Sequence, residues 1–254
     1  MRLFHQNVAF DAQFLSLGKE RIKLDTLAFK LASVAERVLR IKSVNRLQLI
    51  LESVIGLFLF LPIPLFSGLI WRFIYSDTGL MGYYLRSLLF RQNCAFVGVN
   101  VLIGANVTVK HLSELKINSF AYLDQGVTIM CPTTIGRHCH IAVKVFVSGG
   151  GCLKVEDYAS MGMKSIVLTA TETAGKGFRV TGPMARAEER NVIRRKTLLR
   201  KDAFTGPFVL IFPGITMVEG SVVTRGSVLR RNTRDWTVYH GNPASAISSR
   251  QKVV

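Results

Sequence analysis

The stretch INSFAYLDQGVTIMCPTTIGRHCHIAVKVFV, residues 117–147, places an aliphatic side chain at every sixth position: Ile117, Leu123, Ile129, Ile135, Ile141 and Val147. The period runs on in both directions. Upstream stand Val97, Ile103 and Val109, separated from Ile117 by a slip of two residues. Downstream, after a second slip of two, come Val155, Met161 and Val167. After a long interruption follow Leu199, Ile211, Met217, Val223 and Leu229, with Thr205 as the one polar member. A helix cannot use period six, which walks an apolar residue around its whole circumference. A short strand followed by a tight turn can, and three such units close one triangular coil.

The remaining positions of the repeat agree. Four residues after the aliphatic stand small or β-branched side chains suited to a narrow corner: Val107, Ala121, Val127, Cys139, Ala159, Ser165, Ala203, Val209, Ser221 and Ser227. Glycine often follows the aliphatic (Gly98, Gly104, Gly136, Gly162, Gly206), where it is expected to supply turn geometry that other residues resist. Residues 97–114, 117–134, 135–152, 155–172, 199–216 and 217–234 therefore read as about six coils. The fold class is mainly β, a parallel β-helix over 97–234 with a loop excursion at 171–197 and a C-terminal tail, 235–254.

The chain ahead of the coils is different. Over residues 21–46, Leu27, Leu31, Val34, Val38 and Ile41 recur at helical spacing among basic residues, the pattern of an amphipathic helix. Ser53–Trp71 then runs without a charge, close to the length of a membrane-spanning helix, but Pro62 and Pro64 interrupt it. Basic residues flank both ends (Arg37, Arg40, Lys42 and Arg46; Arg72, Arg86 and Arg91), so neither flank is marked for the far side of a membrane. Residues 1–92 are thus expected to be helical, with a membrane-associated hairpin at about 49–75. A buried helix pair and a true span are the alternatives.

At 254 residues, 49% hydrophobic and 19% charged, the chain can bury a large core, which excludes a mainly disordered protein. Its net charge of +17 is concentrated late: from Arg190 onward 12 basic residues face 3 acidic ones. Such a surplus suits a polyphosphate, an anionic lipid surface or nucleic acid. Nucleic acid has only charge in its favour, since no reader motif accompanies it. Cys94, Cys131, Cys139 and Cys152 lack CxxC spacing and follow no cleavable leader pattern, so they read as reduced thiols filling core positions of a cytoplasmic protein.

Three stretches carry a family resemblance: IFPGITMVEGSVVTRGSVL (211–229), DWTVYHGNPASAISSR (235–250), and GLMGYYLRSLLFRQ (79–92) with VGVNVLIGANVTVKHLSELKIN (97–118). From about Leu80 to Arg250 the sequence resembles the hexapeptide-repeat acyltransferases, in particular the sugar O- and N-acyltransferases of surface-polysaccharide biosynthesis. The resemblance implies a homotrimer of left-handed parallel β-helices that moves an acyl group from acyl-coenzyme A to a sugar hydroxyl or amine, without a metal. Coenzyme A would lie in a groove between subunits, and the loop would complete the acceptor pocket. A nucleotide-linked, lipid-linked or polymeric sugar would serve as acceptor, at the inner face of the cytoplasmic membrane.

Many relatives carry their base histidine where the loop leaves the coils; LTATETAGKG (168–177) has none. Thr171, Glu172, Thr173 and Gly175 look more like the acidic version of that segment, which makes Glu172 a candidate base or an orienter of the acceptor. His138 and His140, two apart and expected on one strand, are the other candidates. The resemblance lays Gly206, Ser221 and Ser227 along the pantetheine arm, with Gly206 as oxyanion donor, and Lys201, Arg225, Arg230 and Arg231 beside the phosphates. A zinc enzyme on this fold would need three converging histidines, and His111 lies too far from the other two. A catalytically inactive membrane-associated scaffold is the remaining alternative.

Overall fold

The computed structural model describes residues 74–253, except 174–176, 181, 183 and 184, together with Leu47, Ile50, Leu51 and Val54. The chain divides into two compact units, Met1–Gln48 and Leu49–Val254. Of the first, Leu47 alone is described. The amphipathic helix expected over 21–46 lies outside the described residues, as does the hairpin at about 49–75 apart from Ile50, Leu51, Val54 and residues 74–75. Among the described residues no helix is long and apolar enough to cross a membrane.

The second unit winds as the period of six requires. Its first coil is β1 (Phe96–Val97), β2 (Leu102–Ile103) and β3 (Thr108–Val109), and its second β4 (Leu115–Ile117), β5 (Tyr122–Leu123) and β6 (Thr128–Ile129). The third is β7 (Thr133–Ile135), β8 (His140–Ile141) and β9 (Phe146–Val147), and the fourth β10 (Cys152–Val155), β11 (Ser160–Met161) and β12 (Ile166–Val167). An excursion then forms the ribbon of β13 (Ala170–Glu172) and β14 (Val192–Arg194). The fifth coil follows as β15 (Lys196–Leu199), β16 (Phe204–Thr205) and β17 (Leu210–Ile211), and the sixth as β18 (Thr216–Met217), β19 (Val222–Val223) and β20 (Val228–Leu229). Strands stack in parallel on three faces: β1-β4-β7-β10-β15-β18, β2-β5-β8-β11-β16-β19, and β3-β6-β9-β12-β17-β20. The result is a left-handed parallel β-helix, with the six coils that the period predicts and the hand that the resemblance implies. β21 (Thr237–Gly241) adds a seventh parallel strand to the second face, and β22 (Ala244–Ser249) pairs with it antiparallel.

The core is a stack of single side chains. Ile103, Ile117, Leu123, Leu199, Ile211, Met217 and Val223 are wholly buried, and so are the small corner residues Val127, Ala159, Ser165, Ala203, Ser221 and Ser227. Thr205, polar but fully buried, fits because its hydroxyl accepts a hydrogen bond from the Gly162 N–H at 3.1 Å. Truncating one of the large aliphatics to Ala leaves a void in a shaft one residue wide and costs about 2–5 kcal/mol.

The glycines that follow the aliphatics do not set turn geometry, which corrects the expectation from sequence. They stand where the next coil comes too close for a side chain. A Cβ at Gly162 would lie 2.4 Å from the Gly206 carbonyl carbon, and one at Gly98 would lie 2.5 Å from the Ser119 nitrogen. Positive φ falls two residues later. On the edge between the first and second faces it is taken by Asn100, Phe120, His138, Tyr158, Asp202 and Gly220. On the edge between the second and third faces it is taken by Asn106, Gly126, Lys144, Lys164, Phe208 and Gly226. Most of these are not glycine, so the sequence hides the turn.

The ends are closed by unlike devices. α1 (Leu80–Asn93) seats on the first coil, with Leu88 buried. Its buried Arg86 donates from Nε to the Ile103 carbonyl at 2.8 Å and from Nη1 to the carbonyls of Ile74 and Asp77, each at 2.6 Å. At the far end Trp236 lies over Gly220, and Arg250 donates to the carbonyls of Asp202 (2.9 Å) and Gly220 (3.1 Å). The terminal motif 235–250 is thereby a clasp on the last coils.

Candidate functional site

Every departure from the repeat falls on the third edge, between the third and first faces. The two slips of two residues lie there, the first as the short 3-10 turn Leu112–Glu114 and the second as Ser148–Gly151. The excursion leaves from the same edge. It needs the glycines below it: a Cβ at Gly151 would lie 2.1 Å from the Arg195 carbonyl oxygen and 2.4 Å from that of Thr169. Thr169 locks the root, donating from Oγ1 to the Ser148 carbonyl at 2.7 Å and accepting from the Gly151 N–H at 3.2 Å.

The ribbon pairs Ala170 with Arg194, Thr171 with Ile193 and Glu172 with Val192. Glu172 is half-buried and accepts from the guanidinium of Arg190, through Nε at 3.0 Å and through Nη2, and from the Gly182 N–H at 3.4 Å. One carboxylate thus ties both arms of the excursion. To take a proton it would have to give up that charged partner, so the geometry suits positioning better than proton abstraction.

The two histidines separate. His138 is not on a strand; it sits at the first edge with positive φ, its ring stacked between Phe120 (5.1 Å) and Tyr158 (4.8 Å). His140 lies on β8, pointing outward from the second face and half-exposed. Its ring stacks on Tyr122, one coil earlier, at 5.0 Å and 4° between planes. Its Nε2 lies 3.7 Å from Asp124 Oδ2. The other oxygen of Asp124 accepts from the Tyr122 hydroxyl at 2.9 Å and from the Gln125 N–H at 2.6 Å. Burial pulls the Asp124 carboxyl up, but hydrogen bonds from His140, Gln125 and Tyr122 outweigh it, and the net shift is downward. Burial, with Tyr83 and Asp124 adding to it, keeps the Tyr122 phenol protonated.

The residues expected along coenzyme A fall on different edges. Lys201 is at the first, Arg225 at the second, and Arg230 and Arg231 follow β20 at the third. Within one chain only the last two come together. Arg230 lies 4.8 Å above the Phe212 ring, and the Arg195 side chain runs past Gly214 on the same edge. Ser221 and Ser227 turn their hydroxyls inward, Ser221 to the Val218 carbonyl and the Thr233 hydroxyl, Ser227 to the Gly241 N–H. The Gly206 N–H is given to the Val223 carbonyl at 2.7 Å, which leaves it no hydrogen for an oxyanion. Among the described residues no group of three or more His, Cys, Asp or Glu could hold a metal ion. Cys131 and Cys139 are buried core thiols; burial pushes Cys139 up to about 12, though backbone hydrogen bonds oppose it.

No protein-family profile matches the chain. A dTDP-4-amino-4,6-dideoxy-D-glucose acyltransferase from Escherichia coli is 23% identical over 163 residues, covering 61% of this chain and 82% of the relative. WcaF of Escherichia coli strain K12, named for acetyl transfer in colanic acid biosynthesis, is 26% identical over 66% of this chain and 76% of its own. Among solved structures, a variant of AntD, an N-acyltransferase from Bacillus cereus in complex with dTDP and coenzyme A, aligns at 27% identity with a TM-score of 0.62. The alignment covers 65% of this chain and 88% of AntD. In sequence and in fold the chain is similar to these coenzyme A-dependent sugar acyltransferases.

Sequence alone does not single out five residues that the structure places beside the candidate residues: Tyr83, Tyr122, Asp124, Arg190 and Arg195. The signal for two of them is present in the repeat. Tyr122 stands one coil before His140 at the same position, and Asp124 follows on the same outward row.

Proposed function

We propose that this acyltransferase moves an acyl group, in the first instance acetyl, from acyl-coenzyme A to an amino or hydroxyl group of a sugar in surface-polysaccharide biosynthesis. The reading is carried by the likeness to AntD, which covers 65% of this chain and was solved with dTDP and coenzyme A bound. The Escherichia coli relative acts on a dTDP-linked amino sugar, so a nucleotide-linked amino sugar is the first acceptor to try. Colanic acid, for which WcaF is named, is the polysaccharide context.

In this reading the enzyme is a homotrimer, for which the third face supplies an apolar outer row: Phe146, Ile166, Leu210 and Val228 in register, flanked by exposed Met163 and Phe208. Subunit contact would join edges that are apart in one chain, so that Arg225 of one subunit and Arg230 and Arg231 of another could share the phosphates of one coenzyme A. Lys201 would serve the same charge, whereas Gly206, Ser221 and Ser227 are buried within the coils and hold the wall up from behind. Glu172 orients the acceptor from the loop. The uncharged stretch 53–71, with basic flanks, holds the enzyme to the inner face of the cytoplasmic membrane.

Calorimetric titration of the detergent-purified protein with coenzyme A and acetyl-coenzyme A tests the reading. Micromolar binding that weakens about tenfold in Arg230→Ala is expected, for the loss of one charge-assisted contact. Absence of binding by either ligand overturns it in favour of an inactive scaffold.

A further inference from the structure

Four polar groups meet on the outer surface of the second face: two hydrogen bonds link three of them, and the carboxylate at the end of that chain faces an imidazole. Tyr83, from α1, lies 3.2 Å hydroxyl to hydroxyl from Tyr122; Tyr122 donates to Asp124 Oδ1; and Asp124 Oδ2 faces His140 Nε2. The Tyr122 hydroxyl has one hydrogen and gives it to the carboxylate, so Tyr83 is the donor to Tyr122. Asp124 is then fixed through one oxygen by a phenol and a backbone N–H, which leaves the other oxygen aimed at the imidazole. A carboxylate so placed favours the tautomer with hydrogen on Nε2, and the lone pair of His140 is left on Nδ1. The separation of 3.7 Å is of the looser kind found at unliganded catalytic pairs. Stacking on Tyr122 holds the ring plane. On the same outward row Ser160 and Phe204 follow His140 in register, on the fourth and fifth coils. Glu172, another candidate, is held by Arg190.

We propose that His140 is the general base of the acyl transfer, and that Asp124 and Tyr122, braced by Tyr83 of the N-terminal helix, are the residues that position it. The proposal rests on the acyltransfer reading above and names the proton acceptor within it. The acceptor nitrogen or oxygen attacks the thioester carbonyl carbon, and its bond to carbon forms as the carbon–sulfur bond breaks. The proton of the attacking atom passes to His140 Nδ1 and from there to the departing sulfur, which leaves as the free thiol of coenzyme A. His140 ends neutral, with its Nε2 hydrogen still directed at Asp124.

The test couples binding to turnover on the full-length protein. Calorimetry with coenzyme A is run first; then thiol release from acetyl-coenzyme A is followed with dTDP-4-amino-4,6-dideoxyglucose and with water as acceptors. His140→Ala should keep its affinity for coenzyme A and its KM while kcat falls about 100-fold or more. Added imidazole should restore part of the lost rate. Tyr122→Phe, which keeps the ring stack and removes the hydroxyl, should lower kcat about tenfold with KM unchanged, an effect that fold disruption would not give. Full turnover in His140→Ala overturns the proposal, and so does a loss that imidazole leaves untouched. Wild-type protein that binds coenzyme A but releases no thiol overturns it while sparing the binding reading. Failure to bind coenzyme A removes the reading beneath it.

Discussion

Asp124 joins two demands in one side chain: it faces the imidazole, and it is mostly buried on the face that carries it. Its carboxyl is held below the ordinary 3.8 because burial is outweighed by the hydrogen bonds of His140, Gln125 and Tyr122. A carboxyl depressed by folding stabilises the fold above its unfolded value, and that contribution is lost as pH falls through the folded value. Asp124→Asn should therefore unfold at lower urea concentration than wild type at about pH 7, and the gap should narrow once pH drops below 3.8. A gap that stayed constant from neutral to strongly acid solution would show that the carboxylate charge contributes nothing. Glu172 is the contrasting case, since its charge is met by a guanidinium across the loop.

For the coil, the governing fact is the rise from one strand to the next, about 4.8 Å, which leaves no room for a Cβ wherever the chain turns inward beneath its neighbour. Gly162→Ala presses on the Gly206 backbone and should cost about 1–3 kcal/mol in urea unfolding. Gly226→Ala meets nothing within 4 Å and bears only its positive φ, so it should cost about 1 kcal/mol or less. The reverse order would refute the account of these glycines. This spacing also explains what the sequence discloses. The inward aliphatics were legible because period six leaves them one place to go, and Ile117, Leu123 and Ile129 are where it puts them. The turns were not, because Phe120, His138, Tyr158 and Lys164 adopt positive φ with no compositional mark. Of the residues that the proposed base assembly joins, the sequence names His140, but Tyr122 and Asp124 lie on the previous coil, and seeing them requires overlaying positions 18 residues apart. The placement of Lys201, Arg225 and Arg230 on separate edges needed the corners to be counted.

Assembly is the scale at which separated edges acquire meaning. If the apolar row on the third face is the contact between copies, Ile166→Arg puts a charge in its middle. Sedimentation velocity should then find wild type as a trimer and the variant as smaller species, with coenzyme A affinity falling alongside. A wild-type monomer would dismiss the shared groove. The third edge has a further consequence. Two edges are ladders in which every coil must match the one below, whereas the third already absorbs a 3-10 turn, a run of glycines and an excursion without disturbing either ladder. It is the seam of the molecule, the line along which chain can be let in or taken out. Exchanging the excursion at Thr169 and Arg195 for one of another length would leave the prism intact, so the loop and the stability of the coils can be altered independently.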